Sequence, residues 1–335
     1  MRKALNLKIV RHSMMKNRML NDPFPPLPEM PLLPITSPQT VEACRTLSVT
    51  NEDIFICSYP KSGTTWTQNL VCRLLSSHVG MTFDDDWHLS HTAPFYEVDK
   101  YWNSEGRLPP KTPICGNVRG TERSYRVFNT HLRPHQLPPS AKCVYVVRDP
   151  LDVLASFYHH LANMSEEDGG YVGTPGKFCS AFVDGSILYG KWQDHLEAWL
   201  GKANSNRSSL LILNYEDMKG DLAKQTTRLA RFLGIQEGSI HDVVNSALPY
   251  CTFSNMRRER WRYSPLSVTW KTYDDGRPYD NFVRTGRIGD GKVFFEQYFT
   301  NDLKLQWETD LKITRARWTH EEVDSQIIER YLGSR

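Results

Sequence analysis

The chain has 335 residues, long enough for one large domain or two modest ones. Its 39% hydrophobic and 24% charged content is typical of a folded globular protein, and a formal net charge of only +3 argues against a protein that coats nucleic acid. Seven cysteines without a CxxC pair argue against a disulfide framework or a zinc site, and free thiols suit a reducing compartment such as the cytoplasm.

Residues 1–49 are predicted to form a basic, proline-rich arm ahead of a folded domain at 50–335. The first 20 residues contain no acid and lack the apolar core of a secretory signal. They leave open an organelle transit peptide or a basic helix that lies on a surface, beside the simpler expectation of a frayed arm. The proline-rich stretch 22–38 is predicted to be extended, without a helix. No stretch reaches the roughly 18 apolar residues of a membrane span.

Three short apolar runs, at 54–57, 143–147 and 210–213, are predicted to be buried β-strands. A turn and a helical pattern follow the first run, and Asp149 with Pro150, a good helix-capping pair, follows the second. The third also leads into helical patterns. Strands that alternate with helices predict a single α/β domain, with a central parallel sheet that helices cover on both faces.

Two long segments, at about 80–126 and 251–292, are rich in aromatic residues and only weakly periodic. Long irregular segments in a compact domain often form lids or pocket walls, so we predict that they border a functional site. Plain surface excursions are the alternative interpretation.

The segment 59–66, YPKSGTTW, lies where the first strand ends and a helix begins. Unpartnered helix amides and the helix dipole make such a position a phosphate site, and Gly63 allows close backbone approach. Lys61 adds a positive charge, Trp66 adds a flat ring, and the hydroxyl donors are Ser62, Thr64 and Thr65.

The loop is not a Walker A motif, because Ser58 stands where its first glycine belongs and Thr64 where its lysine belongs. A kinase or NTPase is therefore a weaker alternative, since no clear magnesium-holding acid appears.

This motif resembles the 5′-phosphosulfate loop of the cytosolic sulfotransferases, and the resemblance extends from about residue 53 to residue 292. It includes the segments Pro94-Phe95 with Glu97, Thr130-His131-Leu132, and Tyr215-Glu216-Asp217-Met218. The resemblance implies a P-loop-like strand-loop-helix site for 3′-phosphoadenosine 5′-phosphosulfate (PAPS). It also implies transfer of the sulfuryl group to a hydroxyl or amine of a small acceptor, which leaves adenosine 3′,5′-bisphosphate (PAP). No metal and no nucleic-acid partner are expected.

The resemblance places Arg148, at the end of a strand, and Ser156, in the next helix, at the 3′-phosphate of PAPS. Without it, Arg148 would pass for half of a surface ion pair with Asp149. A second basic loop is expected to close over the same phosphate, and it consists of Arg284, Thr285 and Gly286.

Around the adenine the resemblance places three aromatic residues, Trp66, Tyr215 and Phe253. Thr252 is the more plausible polar contact of the Cys251-Thr252 pair. Taken alone, each of the three rings would pass for an ordinary core residue.

His131 is the predicted general base, because a histidine of near-neutral pKa can take the proton of an acceptor hydroxyl. Lys61 and the loop amides are expected to stabilise the charge that builds up during transfer, and Ser156 joins them at the catalytic centre. Asn129 stands where the family usually has a lysine, two residues before the histidine.

Two further departures are Thr285 in place of a lysine and Gly291 in place of a tryptophan. Together with Asn129 they keep a non-catalytic PAPS- or PAP-binding protein open as the alternative function. An enzyme that sulfates an alcohol which then eliminates is a further alternative.

The acceptor pocket is expected to use aromatic and histidine side chains, with Trp87, His88, Phe95, His160 and Phe178 as candidates. His160 stands where the family commonly has an aromatic residue, which predicts a more polar pocket. The segment 292–297 departs from the family's dimerisation pattern, so a monomer or a non-standard homodimer is expected.

Overall fold

The computed structural model describes residues 29–102, 113–276, 282–318 and 325–333. The chain divides into two compact units, Met1–Met30 and Pro31–Arg335. Of the first unit only Glu29 and Met30 are described, so the predicted arm at 1–28 lies outside the described residues.

A five-stranded sheet forms the centre of the second unit, in the order β2-β3-β1-β4-β5. Strands β3, β1, β4 and β5 run parallel to one another, whereas β2 is antiparallel to β3. The strands are β1 (Asp53–Ser58), β2 (Ile114–Val118), β3 (Thr121–Thr130), β4 (Lys142–Val147) and β5 (Leu210–Asn214). Every residue of β1 is buried, as its apolar run predicts for a central strand covered on both faces. The predicted α/β architecture with a central, mostly parallel sheet is confirmed.

Helices flank this sheet. They are α1 (Pro38–Thr46), α2 (Thr64–Val79), α3 (Leu89–Thr92), α4 (Pro150–Ala162), α5 (Pro175–Asp184), α6 (Trp192–Ser205), α7 (Tyr215–Gly220), α8 (Leu222–Leu233), α9 (Glu237–Ala247), α10 (Phe253–Arg258), α11 (Asp290–Tyr298), α12 (Asn301–Trp318) and α13 (Ser325–Leu332). Short 3₁₀ turns lie at Asp99–Tyr101, Pro134–Gln136, Glu166–Asp168, Arg207–Ser209, Leu248–Cys251 and Arg260–Arg262.

The helices that follow β1 and β4 begin where the sequence predicts. Gly63 precedes α2 with a left-handed φ of 106°, a conformation that favours glycine. Asp149 precedes α4, and its carboxylate accepts hydrogen bonds from the amides of Leu151 and Asp152 at 2.8 and 3.1 Å. Pro150 occupies the first turn, where its missing N–H is no loss.

The structure differs from the sequence-based expectation in two places. The segment predicted to be irregular at about 80–126 contains the β2–β3 hairpin, which makes the sheet mixed rather than purely parallel. Of β2 only Ile114 is buried, so no apolar run marks this strand in the sequence. The compact unit begins at Pro31, and α1 lies within residues 31–49, so the boundary predicted at residue 49 differs from the structural one.

A hydrophobic cluster lies between the sheet and the helices that follow β1 and β5. Its members include Ile54, Ile56, Val144 and Val146 from the sheet and Leu74 from α2. This packing fixes the carboxyl ends of the parallel strands, where the loops that carry the predicted site begin. Within the described ranges, no helix has both the length and the apolar character needed to cross a membrane.

Candidate active site

The loop between β1 and α2 has an unusual backbone that brings its amides to one place. Lys61 and Gly63 both have positive φ, at 68° and 106°. A Cβ on Gly63 would lie 2.8 Å from the ring of Tyr215, so only glycine fits between the loop and this ring. The Thr64 hydroxyl is 2.6 Å from that of Ser58, which ties the start of α2 to the end of β1. The loop is thus a fixed anion site at a helix N-terminus.

Lys61 lines the cavity, and among the described residues no acid pairs with it. Its Nζ lies 4.1 Å from the centroid of the Phe282 ring and 3.4 Å from Nδ1 of His160. Loss of solvent, and then the nearby cations Arg148 and Arg284, lower the pKa of Lys61 to about 7. A bound anion would reverse this effect.

His131 follows β3 and is held as a neutral base. Its Nδ1 lies 2.8 Å from the carbonyl oxygen of Ser58, which can only accept, so the ring proton is on Nδ1 and the lone pair on Nε2. Burial lowers the pKa of His131 to about 4, against the opposing effect of the Ser58 carbonyl and with a further contribution from Lys61. The rings of Phe95 and Tyr189 pack edge-on against the imidazole, at centroid distances of 5.3 and 5.2 Å.

Buried side chains also hold both backbone groups of His131. Its amide donates to the Glu97 carboxylate at 2.8 Å, and its carbonyl accepts from Nε2 of His195 at 3.0 Å. The Tyr145 hydroxyl lies 3.2 Å from Nδ1 of His195, which completes a chain of hydrogen bonds behind the base. Burial lowers the pKa of His195 to about 3, so this ring is neutral as well. The sequence analysis missed His195, because one buried histidine among 11 gives no signal.

Arg148, at the end of β4, has a buried guanidinium rather than a surface ion pair with Asp149. It donates to the carbonyl oxygens of Lys61 and Arg287 at 3.3 and 2.9 Å, and it lies 3.5 Å from the Asp152 carboxylate. Its guanidinium is 4.3 Å from the centroid of the Tyr215 ring. These contacts hold a permanent positive charge against the loop at 59–66.

The second basic loop is organised by Asp290 at the start of α11. The carboxylate of Asp290 accepts from the Thr285 hydroxyl at 2.9 Å and pairs with Arg284 at 3.3 Å. Gly286 has a φ of 60°, and a Cβ there would lie 2.7 Å from the Phe253 ring. The Gly286 carbonyl accepts from the Tyr215 hydroxyl at 3.3 Å, which joins this loop to the end of β5.

The three aromatic residues expected at an adenine come together in the structure. Trp66 and Tyr215 are edge-to-face at 5.5 Å, and the Trp66 indole donates to the carbonyl of Cys251 at 2.8 Å. Phe253 lies against Gly286, whose carbonyl accepts from the Tyr215 hydroxyl. Thr252 caps α10 by accepting from the amide of Asn255, so its hydroxyl is already engaged in the helix.

One cavity of about 320 Å³ brings most of the predicted residues together. Its wall includes Lys61, Gly63, Thr64, Thr65, Trp66, Phe95, His131, Arg148, Ser156, His160, Tyr215, Thr252, Phe253, Arg284, Thr285 and Gly286. His131, the loop at 59–66 and the basic groups Arg148 and Arg284 therefore share one space. Asn129, which replaces a lysine of the resembling family, also lines it.

Four predicted residues do not line this cavity. Ser62 is buried within the loop. Trp87 stacks on Phe83 at 4.4 Å, and His88 accepts from the amide of Ser90 as a helix cap. Phe178 is buried at 5.9 Å from Phe157 in an aromatic cluster of α4 and α5. Three of the five acceptor candidates, Trp87, His88 and Phe178, are therefore not part of the cavity wall.

The sequence analysis did not identify much of the apolar end of the cavity. Its wall there includes Leu89, Ala93, Met164, Tyr189, Tyr263, Val268 and Phe282. Five of these residues come from the two segments predicted to form pocket walls, whereas Met164 follows α4 and Tyr189 precedes α6. No spacing in the sequence sets them apart from core residues.

The polar end of the cavity has the charge to hold an anion. Three cationic groups, Lys61, Arg148 and Arg284, line it. The buried Arg148 Nε has no hydrogen-bond partner in the structure. Buried polar atoms normally have partners, so a ligand with acceptor oxygens would complete this site. Among the described residues, no cluster of three potential metal ligands occurs.

Comparisons with known proteins give the same picture. The family model of the sulfotransferase domain matches residues 51–312. Sulfotransferase 2B1 from Homo sapiens is 30% identical over 264 residues, which are 75% of this chain and 63% of that protein, less than two thirds of its length. Cytosolic sulfotransferase 1 from Arabidopsis thaliana is 30% identical over 278 residues, 78% of each chain.

Among solved structures, retinol dehydratase in complex with androsterone and inactive cofactor PAP superimposes with a TM-score of 0.60. The match covers 85% of this chain and 86% of the other, at 20% sequence identity. At that identity the likeness shows the shared fold alone.

Proposed function

Because this chain belongs to the sulfotransferase family of enzymes, we propose that it transfers a sulfuryl group from PAPS to a hydroxyl or amine of a small-molecule acceptor. The observation that carries the proposal is one cavity with a cationic loop at one end and a neutral histidine, its Nε2 unprotonated, facing the same space. These are the two functions that the reaction needs: a site for an anionic donor and a base for the acceptor.

The donor would occupy the polar end of the cavity. The amides and hydroxyls of the loop at 61–65 would hold the 5′-phosphosulfate, while Arg148 with Ser156 and the loop Arg284–Gly286 would hold the 3′-phosphate. Trp66, Tyr215 and Phe253 would contact the adenine. The unpartnered Nε of Arg148, which lines the cavity, supports this arrangement, and so does the PAP bound by the solved structure of the same fold.

Bound PAPS would supply an activated sulfuryl group. His131 would take the proton of the acceptor at Nε2, since Nδ1 donates to the Ser58 carbonyl. Lys61 would stabilise negative charge that develops near the loop, and Ser156 lines the cavity close by. Positioning and electrostatics would thus account for most of the catalysis, as in phosphoryl transfer.

The acceptor would lie at the apolar end, against Phe95, His131 and His160. Trp87, His88 and Phe178 would shape this end only from behind the residues that line it. A hydrophobic wall with few polar groups suits an acceptor with an apolar body and one nucleophilic group.

Location and assembly are part of the same proposal. All seven cysteines are free, and six of them are buried. Free thiols suit the cytoplasm, and one relative is named as a cytosolic sulfotransferase. We expect a monomer or a non-standard homodimer that needs no nucleic acid and no metal.

The second candidate is a binding protein that retains PAPS or PAP without transfer. The observation that favours it is Asn129, which lines the cavity where the resembling family has a lysine and whose Nδ2 is 3.4 Å from Oε1 of Gln68. An amide engaged in this way adds no positive charge near the transferred group.

The test is a titration of purified protein with PAP and PAPS, followed by incubation with a panel of phenols, alcohols, steroids and amines and mass detection of sulfated products. Binding of PAP with a sulfated product that is lost in His131→Ala would support the proposal. Binding without any product, for the protein and the variant alike, would favour the second candidate. Absence of PAP binding by folded protein would reject both.

A further inference from the structure

His160 lies beside Lys61 in the cavity and is held there by packing. Its Nδ1 is 3.4 Å from Nζ of Lys61, and Nζ is 4.1 Å from the centroid of the Phe282 ring. Phe282 and Trp270 pack against the imidazole at centroid distances of 5.7 and 5.2 Å. Two aromatic rings therefore fix the orientation of His160 while one of its nitrogens faces the ammonium group.

The chemistry of this pair determines which nitrogen of His160 carries the proton. A protonated lysine has three donors and no acceptor, so Nδ1 has to accept and the proton of the neutral ring is on Nε2. Burial, and then Lys61 and His131, lower the pKa of His160 well below its ordinary value of 6.5. The imidazole is thus a polar partner that adds no charge.

Lys61 has few other sources of stabilisation for its charge. The charged groups that act on it, Arg148 at the end of β4 and Arg284 in the loop before α11, are cations and oppose its protonation. His131, after β3, is neutral for the reasons given above. The Phe282 ring gives a cation–π contact, and His160 supplies the hydrogen-bond acceptor.

We propose that His160 is a positioning residue for Lys61: its Nδ1 accepts a hydrogen bond from Nζ, holds this group over the Phe282 ring and stabilises its ammonium form. The consequence for transfer rests on the proposed function, in which Lys61 acts on the sulfuryl group. The contact itself can be tested without a donor or an acceptor. Because the family commonly has an aromatic residue at this position, the device is specific to chains that carry histidine here.

Two matched variants separate the hydrogen bond from the packing. His160→Phe keeps a ring against Phe282 and Trp270 but removes the acceptor. His160→Asn removes the ring but keeps an acceptor, since its Oδ1 is attached to Cγ as Nδ1 is in histidine. Should His160→Phe fail to fold, His160→Leu also lacks the acceptor and takes its place.

The measurement is the pKa of Lys61 in the ligand-free protein, from competitive acetylation with acetic anhydride across neutral and alkaline pH and mass spectrometry of the peptide that contains Lys61. A hydrogen bond to a charged donor corresponds to roughly one to two pKa units. We therefore expect the pKa of Lys61 to fall by about one unit in His160→Phe and to stay close to that of the unmodified protein in His160→Asn.

Three results would overturn the proposal: an unchanged pKa of Lys61 in His160→Phe, an equal shift in both variants, or a shift in His160→Asn alone. A parallel titration with PAP keeps this question separate from the proposed function. Failure of the unmodified protein to bind PAP would reject that function, whereas the acetylation experiment would still decide whether His160 holds Lys61.

Discussion

Binding of PAP to this protein should take up a proton at alkaline pH, and Lys61 is the group that accepts it. In the free protein, burial and then Arg148 and Arg284 lower the pKa of Lys61 to about 7. The phosphates of PAP would add negative charge beside the ammonium and raise this pKa toward its ordinary value of 10.5. The complex then holds more protons than the free protein at any pH between the two values.

The size and sign of the effect follow from these values. At a pH about one unit above the pKa, roughly nine-tenths of free Lys61 is neutral, so binding takes up about 0.9 proton. Because the complex is the more protonated state, affinity falls as pH rises above about 7, by about tenfold or 1.4 kcal/mol for each pH unit. The decline ends near the pKa of Lys61 in the complex.

Isothermal titration calorimetry in two buffers with different ionisation enthalpies measures the proton uptake directly. At about pH 8 the phosphates of PAP are already fully ionised, since their second pKa is about 6, so they contribute little to the proton uptake. Lys61→Met is the control: it should bind PAP more weakly, with no proton uptake and a nearly flat pH profile. Tight binding by the unmodified protein without proton uptake, or an equal uptake in Lys61→Met, would refute this account of the loop.

Three further predictions concern other parts of the site. His131→Ala should lower sulfuryl transfer by roughly 10² to 10⁴ in rate while PAP affinity changes little, and product formation by mass spectrometry checks this. Arg148→Ala should weaken PAP binding by roughly 10- to 150-fold, as expected for a lost hydrogen bond to a charged group, which calorimetry measures. Gly291→Ala should lower the free energy of unfolding, measured in urea, by about 1 to 3 kcal/mol, because the new Cβ would lie 2.0 Å from the backbone of Leu151. Gly238→Ala is the control: it lies in open space on α9, so its stability should be nearly unchanged.

The departure at Gly291 shows how a sequence difference gains its meaning from packing. Taken from the sequence, glycine in place of tryptophan suggests a weakened site. In the structure, the amides of Gly289 and Gly291 donate to the buried Asp152 carboxylate, at 3.0 and 2.8 Å. The close approach of α11 to α4 leaves no room for a side chain at this position, so glycine is what this arrangement requires.

The sequence by itself determined the order of the strands and helices around β1, β4 and β5 and the phosphate loop at 59–66. Both depend on local information: unbroken apolar runs form buried strands, and glycine with small hydroxyl residues at a strand-to-helix turn forms an anion site. The resemblance carried by this loop also led to His131, Arg148 and Arg284, which line one cavity.

Only the tertiary structure decided which side chains face the cavity and in which protonation state. The local sequence does not distinguish Trp87, Phe178 and Phe282, yet of these three only Phe282 lines the cavity. Packing between loops and helices that are far apart in the chain decides which ring is exposed to the cavity. The hydrogen bond from His131 to Ser58 and the cations around Lys61 join residues far apart in the chain. Burial and electrostatics of this kind arise from the assembled fold, so no local pattern in the sequence could show that His131 is neutral or that the pKa of Lys61 is lowered before a donor binds.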